Sequence, residues 1–322
     1  VADLDTGYNY DGSGRTYSTI AAALAVAVDY DNIQIWYSST LRSPWWFTAT
    51  IATDLLVGLE GMLPRRECIV APTGSNHTWY LYCTSAKSSD VTLQNFTMPY
   101  QYSTIGLYYW NTNSGNTGAV HMKRIWSYGL RAFYHRQYGY GDVKYCMGIR
   151  SGSYPVYQTY QTLIQSRYIN CGAIGGYNCW NAAGGGVSHL IHNCYAFLPE
   201  AGTTRFGGTA VSSSSDYVYI DDTGESVTGT NSRNDINLEE DCKFACDEAG
   251  NLEYRYSETQ MDLRPLPGSV LIGNGGYLAG ATETTDIDGQ PIADHPIGPS
   301  VGVRLSGQSG ATTRNLNRMV IG

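Results

Sequence analysis

Two groups of ionisable residues carry chemistry that an enzyme would use. Asp216, Asp221 and Asp222 bracket the short apolar run Tyr217-Val218-Tyr219-Ile220. A glycoside hydrolase needs two carboxyl groups flanking the scissile bond, one as acid and one as base or nucleophile, and these three are the candidates. Neighbouring strand residues point to opposite faces, so Asp221 and Asp222 do not pair automatically. Asp-Asp-Thr-Gly from Asp221 reads more simply as a turn. The second group is His121, Lys123 and Arg124, with Arg131, His135 and Arg136 just beyond. Strand alternation sets His121 and Lys123 on one outer face, where a base beside a cation suits the proton abstraction of a polysaccharide lyase. A solvated charged face is the plainer reading.

A third candidate surface is aromatic. Tyr108, Tyr109, Trp110, Tyr138, Tyr140 and Tyr157 lie in a Tyr-dense stretch that runs from Tyr100 to Tyr160. Ring faces stack on sugars while hydroxyls bond their edges, so glycan binding without catalysis follows. Loop packing or a subunit interface would use the same side chains.

No cofactor and no metal centre are expected. The eight cysteines, at positions 68, 83, 146, 171, 179, 194, 242 and 246, include no Cys-x-x-Cys pair. Cys242 and Cys246 have no matching pair and no His nearby, which argues against zinc. They read best as small buried core residues, with disulfides left open. The acidic stretch from Asp216 to Asp241 has oxygen ligands but not the pattern of a calcium loop.

Charged residues are 15% of the 322, well under the usual quarter, and the formal net charge is −8. Four Lys stand against sixteen Arg, and 37 Gly and 27 Tyr are present. Such a surface is built from hydroxyls and amides. It suits a virion or extracellular protein, and with no basic run it is a poor partner for nucleic acid. Hydrophobic content of 42% argues against disorder. The longest apolar run, Ile20 to Val28, is too short to cross a bilayer, so no membrane insertion is expected. Val1 opens no signal peptide; a cleaved leader and a removed initiator Met both fit that start.

These residues must be positioned by short strands. Ile20, Ala23, Leu24, Ala27 and Val28 share one helical face, which predicts a helix from Thr19 to Val28 with Ser18 or Thr19 as its cap. Ile33 to Trp36 then reads as a buried strand. Beyond it come brief apolar segments separated by turn residues, the pattern of an all-β chain. Val91 to Phe96 matches Val120 to Ile125 at 29 residues, and Leu163 to Tyr168 matches Leu190 to Tyr195 at 27. Ile220 follows Ile191 by 29. Each period is one solenoid turn. The 42-residue gap from Met122 to Ile164 is then an inserted Tyr/Gly-rich loop near 134–160, and Asn95, Asn193 and Ser166 stack at one corner. A β-sandwich with coincidental spacing is the alternative.

The two ends carry a resemblance. Asp11-Gly12-Ser13-Gly14, Tyr17-Ser18-Thr19-Ile20, the alanine-rich helix and Asp31-Asn32-Ile33 resemble the opening of right-handed parallel β-helix proteins of the pectate-lyase-like group. There the helix plugs the open end of the coil, whose strand edges and apolar surface would otherwise be bare. Asp262 to Ser269, then Thr285 to Pro291, resemble the closing segment of many such proteins, although Val270-Leu271 replaces their Pro-Ala and Gly298 to Gly302 ends differently. The resemblance implies one domain: a cap and first strand over 1–36, coils over 37–260, and a closing segment with tail over 261–322. It says little about activity, because many activities share the scaffold. The expected function is a non-enzymatic surface protein of a phage-like virion, docking on a shell or on itself and contacting glycans. A secreted polysaccharide lyase or glycoside hydrolase is the rival.

Overall fold

The computed structural model describes residues 20–35, 45–47, 56–62, 70–72, 79–83, 90–98, 105–113, 118–128, 131–137, 140–150, 154–160, 165–175, 177–183, 189–197, 204–208, 211–221, 224–237, 240–242, 265, 267–276 and 278. One helix, α1 (Ile20–Leu24), precedes eighteen strands among them. The strands are β1 (Asn32–Ile35), β2 (Trp45–Phe47), β3 (Gly58–Gly61), β4 (Val70–Pro72), β5 (Trp79–Cys83), β6 (Val91–Met98), β7 (Ile105–Asn111), β8 (Ala119–Tyr128) and β9 (Arg131–Gln137). They continue as β10 (Tyr140–Lys144), β11 (Met147–Arg150), β12 (Tyr157–Tyr160), β13 (Arg167–Ile169), β14 (Gly172–Gly175), β15 (Trp180–Ala183), β16 (Leu190–Phe197), β17 (Phe206–Gly208) and β18 (Asp216–Ile220).

The strands stack in parallel as a β-solenoid. The first sheet runs β1-β3-β6-β8-β10-β13-β16, with β18 on β16, and β11 and β14 lie beside the far halves of β8 and β16. The second sheet runs β5-β7-β9-β12-β15-β17, and β2 pairs β4. Pairing each strand with one a full turn later confines the bare edges, among the described residues, to the end strands of each sheet.

One corner keeps the coil in phase. Asn95, Arg124, Tyr145, Asn170, Asn193 and Tyr217 all have positive φ, between 51° and 64°. Each follows the aligned row Gln94, Lys123, Lys144, Ile169, His192 and Asp216. That conformation disfavours a Cβ and is tolerated best by Gly and Asn, which accounts for three asparagines at six positions. Ser166 is not at this corner: its Oγ accepts the Gly141 N–H (3.0 Å) ahead of β13.

Past the corner each chain turns inward, and Cys146, Cys171 and Cys194 line up in the lumen as a thiol ladder. The Cys146 Sγ lies 3.4 Å from Lys144 O and 3.5 Å from Met122 O. Cys171 Sγ is 3.4 Å from Ile169 O and Val143 O, and Cys194 Sγ 3.2 Å from His192 O and 3.4 Å from Tyr168 O. All three are free and fully buried. Across the lumen Phe133, Tyr157, Trp180 and Phe206 stack face to face from the second sheet, with centroids 4.7, 5.2 and 6.0 Å apart.

Several sequence expectations need correction. Residues 134–160 are no inserted loop: they contain part of β9 and all of β10, β11 and β12, which make ordinary rungs. The true spacings after β8 are 21, 25, 23 and 24 residues, so Tyr168 pairs with Ile191 and Ile220 with Ala196 rather than at 27 and 29. The 29-residue match of β6 to β8 stands. The helix is also shorter than expected. Val26 and Ala27 bond back only three residues, to Ala23 and Leu24, and this tightening ends the helix. Ala23 is buried, Leu24 and Ala27 pack on the core, and Val28 is 60% exposed. The Ser18 and Thr19 cap lies outside the described residues, as do Trp36 and most of the closing motif.

The outer flank of β11 and β14 is apolar. Trp126, Met147, Ile149, Ile174, Tyr195 and Phe197 cluster there with Ile236, Cys242 and Leu271. Val270 and Leu271, where the sequence departs from the resembled closing pattern, therefore pack on a side of the coil, and Leu271 is fully buried there.

Candidate functional site

The outer face of the first sheet gathers charge. Register aligns Thr92, His121, Asp142 and Arg167 across four successive strands. His121 is held from both sides: Nδ1 lies 2.9 Å from Asp142 Oδ2 and Nε2 lies 3.0 Å from Asp90 Oδ2. Asp90 Oδ1 also accepts the Ala119 N–H at 2.7 Å. Asp142, whose side chain is 3% exposed, sits 3.5 Å from Lys144 Nζ and 3.2 Å from Arg167 Nη2. Its Oδ1 accepts no well-aligned hydrogen bond, so Arg167 acts on it as a charge rather than as a donor.

The electrostatics follow from this geometry. The hydrogen bond to Asp142 raises the His121 pKa, burial opposes it, and Asp90 adds to the rise. Burial pushes Asp142 up, but the His121 bond and the Lys144 and Arg167 charges outweigh it and leave the pKa lowered. Asp90 is lowered chiefly by its bond from His121. The row is an imidazole clamped between two carboxylates. With both ring nitrogens engaged, His121 abstracts no proton unless the half-exposed Asp90 swings aside.

Lys123 shares the outer face with His121 and aligns with Gln94 and Lys144. His135 does not join them. It is buried, facing Tyr109 with ring centroids 5.0 Å apart. Asp90, Asp142, Lys144 and Arg167 were missed by the sequence reading. Asp142 and Lys144 fell inside the supposed insertion, where the alternation of Gly141-Asp142-Val143-Lys144 was the available signal.

Asp216 and Asp221 are not brought together. Asp216 Oδ1 accepts the N–H groups of Tyr217 (2.9 Å) and Asn231 (3.0 Å), and Oδ2 accepts Asn231 Nδ2 (2.8 Å). Burial raises the Asp216 pKa, but these bonds outweigh it and hold it down. Asp221 takes a 2.7 Å bond from Arg205 Nε in a largely buried pair. Asp216 thus ties the start of β18 to the following turn at Asn231, and Asp221 ties its end back to Arg205, just ahead of β17. Asp222 lies outside the described residues.

The aromatic candidates divide. Tyr157 and Tyr109, 0% and 3% exposed, belong to the main core cluster and line no outer groove among the described residues. Trp110 is partly exposed and packs on Tyr134 together with Tyr160, an outward cluster on the second sheet. Tyr108 aligns with Tyr134, and Tyr140 with Ala119. Tyr138 lies outside the described residues.

No family model, no curated protein and no solved structure matches the chain.

Proposed function

We propose that the chain is a non-enzymatic surface scaffold, of the kind that decorates or extends from a phage-like particle, docking on a shell or on itself and contacting glycans. One observation carries this reading: the residues best suited to catalysis are spent on holding the coil. His121 has both nitrogens bonded, Asp216 fixes the turn at Asn231, and Asp221 is paired with Arg205. The Lys-poor, hydroxyl-rich composition and the outward Trp110, Tyr134 and Tyr160 cluster suit a contact surface. Native mass measurement, run beside assays for reducing sugar and unsaturated products from a polysaccharide panel, tests it. A large assembly with no product is expected, and a monomer that releases sugar would sink the proposal.

The second reading, a carbohydrate-active enzyme, is favoured by the Asp90–His121–Asp142 row, because Asp90 keeps a 54% exposed side chain beside the His121 imidazole. Sugar release that disappears in Asp90→Asn would establish it.

A further inference from the structure

Between the last rung and the closing segment lies a cleft of about 440 Å³. Tyr217, Tyr219, Thr230, Asn231, Ser232 and Arg233 form one wall, and Asn274 with its flanking glycines forms the other. The size falls within the range of small-ligand sites, but the walls are hydroxyl, amide, guanidinium and glycine backbone rather than aliphatic.

Part of this lining holds the cleft in shape. Asn231 Nδ2 donates to Asp216, the Val218 N–H donates to Ser232 Oγ at 3.0 Å, and Asn274 Nδ2 donates to Val270 O at 2.8 Å. Gly276 lies so close to Tyr217 that a Cβ there would stand 2.2 Å from the ring. The Gly276 N–H and carbonyl are in turn bonded to the Asn193 side chain at 2.8 and 2.7 Å. The remaining groups are unspent. The hydroxyls of Tyr217 and Tyr219, and Nη1 of Arg233, make no hydrogen bond among the described residues.

Charge narrows the ligand class. Asp235 already neutralises Arg233, with Nε to Oδ1 at 3.1 Å and Nη2 to Oδ2 at 3.3 Å. Asp216 adds a negative charge behind Asn231. An anion therefore gains little here. A neutral polyhydroxylated ring suits the cleft: its C–H face covers tyrosine, and its hydroxyls supply both the donors and the acceptors that the phenols and the guanidinium lack.

We propose that this cleft binds one neutral sugar unit, a hexose or its N-acetyl form. The inference rests on the glycan-contacting part of the reading above and assigns that contact to the closing seam rather than to Trp110. Saturation-transfer NMR on the full chain tests it, with the methyl glycosides of glucose, galactose and N-acetylglucosamine as probes and glucuronate beside them. Transfer to at least one neutral glycoside is expected, with glucuronate weaker by roughly tenfold or more. Thr230→Trp fills the cleft and Arg233→Ala removes the free donor; both positions are exposed, and both variants should lose the signal while Val28→Ala, an exposed change beside α1 at the other end of the coil, keeps it. Neutral-sugar binding that survives both cleft variants overturns the cleft site and leaves the glycan reading standing. A preference for glucuronate overturns the ligand class. No transfer from any probe overturns both the site and the glycan reading.

Discussion

Tyr157 and Trp180 lie face to face on neighbouring rungs, ring centroids 5.2 Å apart and planes within 7° of parallel. The Tyr157 hydroxyl crosses the lumen to sit 2.9 Å from Cys146 O and 3.1 Å from Gly172 O. One side chain therefore joins the second sheet to the corner of the first, and burial raises its pKa well above the phenol range. Tyr157→Phe keeps the stack and should cost about 1 kcal/mol, the net worth of a buried hydrogen bond. Tyr157→Ala should cost about 3–5 kcal/mol. Denaturant midpoints of the two variants would separate bond from stack, and equal losses would show that the hydroxyl carries the whole effect.

Stability should fall on both sides of neutral pH, through different histidines. Burial, helped by the nearby His135, lowers the His189 pKa to about 3. Below the usual histidine value of about 6.5 the unfolded chain takes up a proton that folded His189 refuses, so this site should remove about 1.4 kcal/mol per pH unit down to about pH 3. His189→Gln should flatten that acid-side slope in a set of denaturant titrations.

His121 has the opposite sign. Its raised pKa contributes stability that is fully present below the unfolded value and lost as pH rises through the folded one. Asp90 and Asp142, both lowered, contribute above their unfolded values, and that share disappears as pH falls through the folded ones. His121→Gln should therefore remove a loss seen on the alkaline side and leave the His189 slope intact. An unchanged alkaline limb would mean that the imidazole is neutral when folded.

Asn193→Ala forces a Cβ-bearing residue without an amide into the left-handed corner. It also cuts the bonds to Gly276, and should cost about 2–4 kcal/mol. Asn193→Gly keeps the backbone and cuts only the bonds, so its cost should be smaller. Limited proteolysis should cleave near Gly276 faster in both variants. If Asn193→Gly matches Ala, the tether rather than the corner governs stability.

The thiol ladder should be inert. Cys194 and Cys179 are fully buried, and burial raises both pKa values well above that of a free thiol; reactivity needs the thiolate. Alkylation followed by peptide mass mapping should leave Cys146, Cys171, Cys179 and Cys194 unmodified in the native protein and label them all after unfolding. Native labelling of Cys194 would contradict the buried ladder.

How much was legible follows from which signals are local. Stacked strands were readable because β6 and β8 repeat an apolar pattern at a fixed 29 residues. Later rungs were misaligned because their lengths change from turn to turn and the corner residue is Asn only at some positions. At Arg124 and Tyr145 the left-handed conformation has no sequence mark. The charged row was half visible: His121 stood out as a basic residue, whereas Asp142 needed the correct 21-residue register to meet it. Tyr157 was assigned outward because a phenol inside a narrow lumen is expected only when carbonyls stand opposite to receive it, and those carbonyls come from other rungs.

Spacings of 29, 21, 25, 23 and 24 residues separate the six left-handed corners, yet the corner never loses phase. Added or deleted chain is therefore sorted by place. Between rungs, a loop can lengthen at the small cost of loop closure, about 0.6 kcal/mol per doubling. Within the corner, a single extra residue would turn the thiols outward and the outer charges into the lumen. Gene segments that recombine in this architecture are thus interchangeable when their breakpoints fall between corners, and a peptide grafted after β12 would be displayed without disturbing the register of its neighbours.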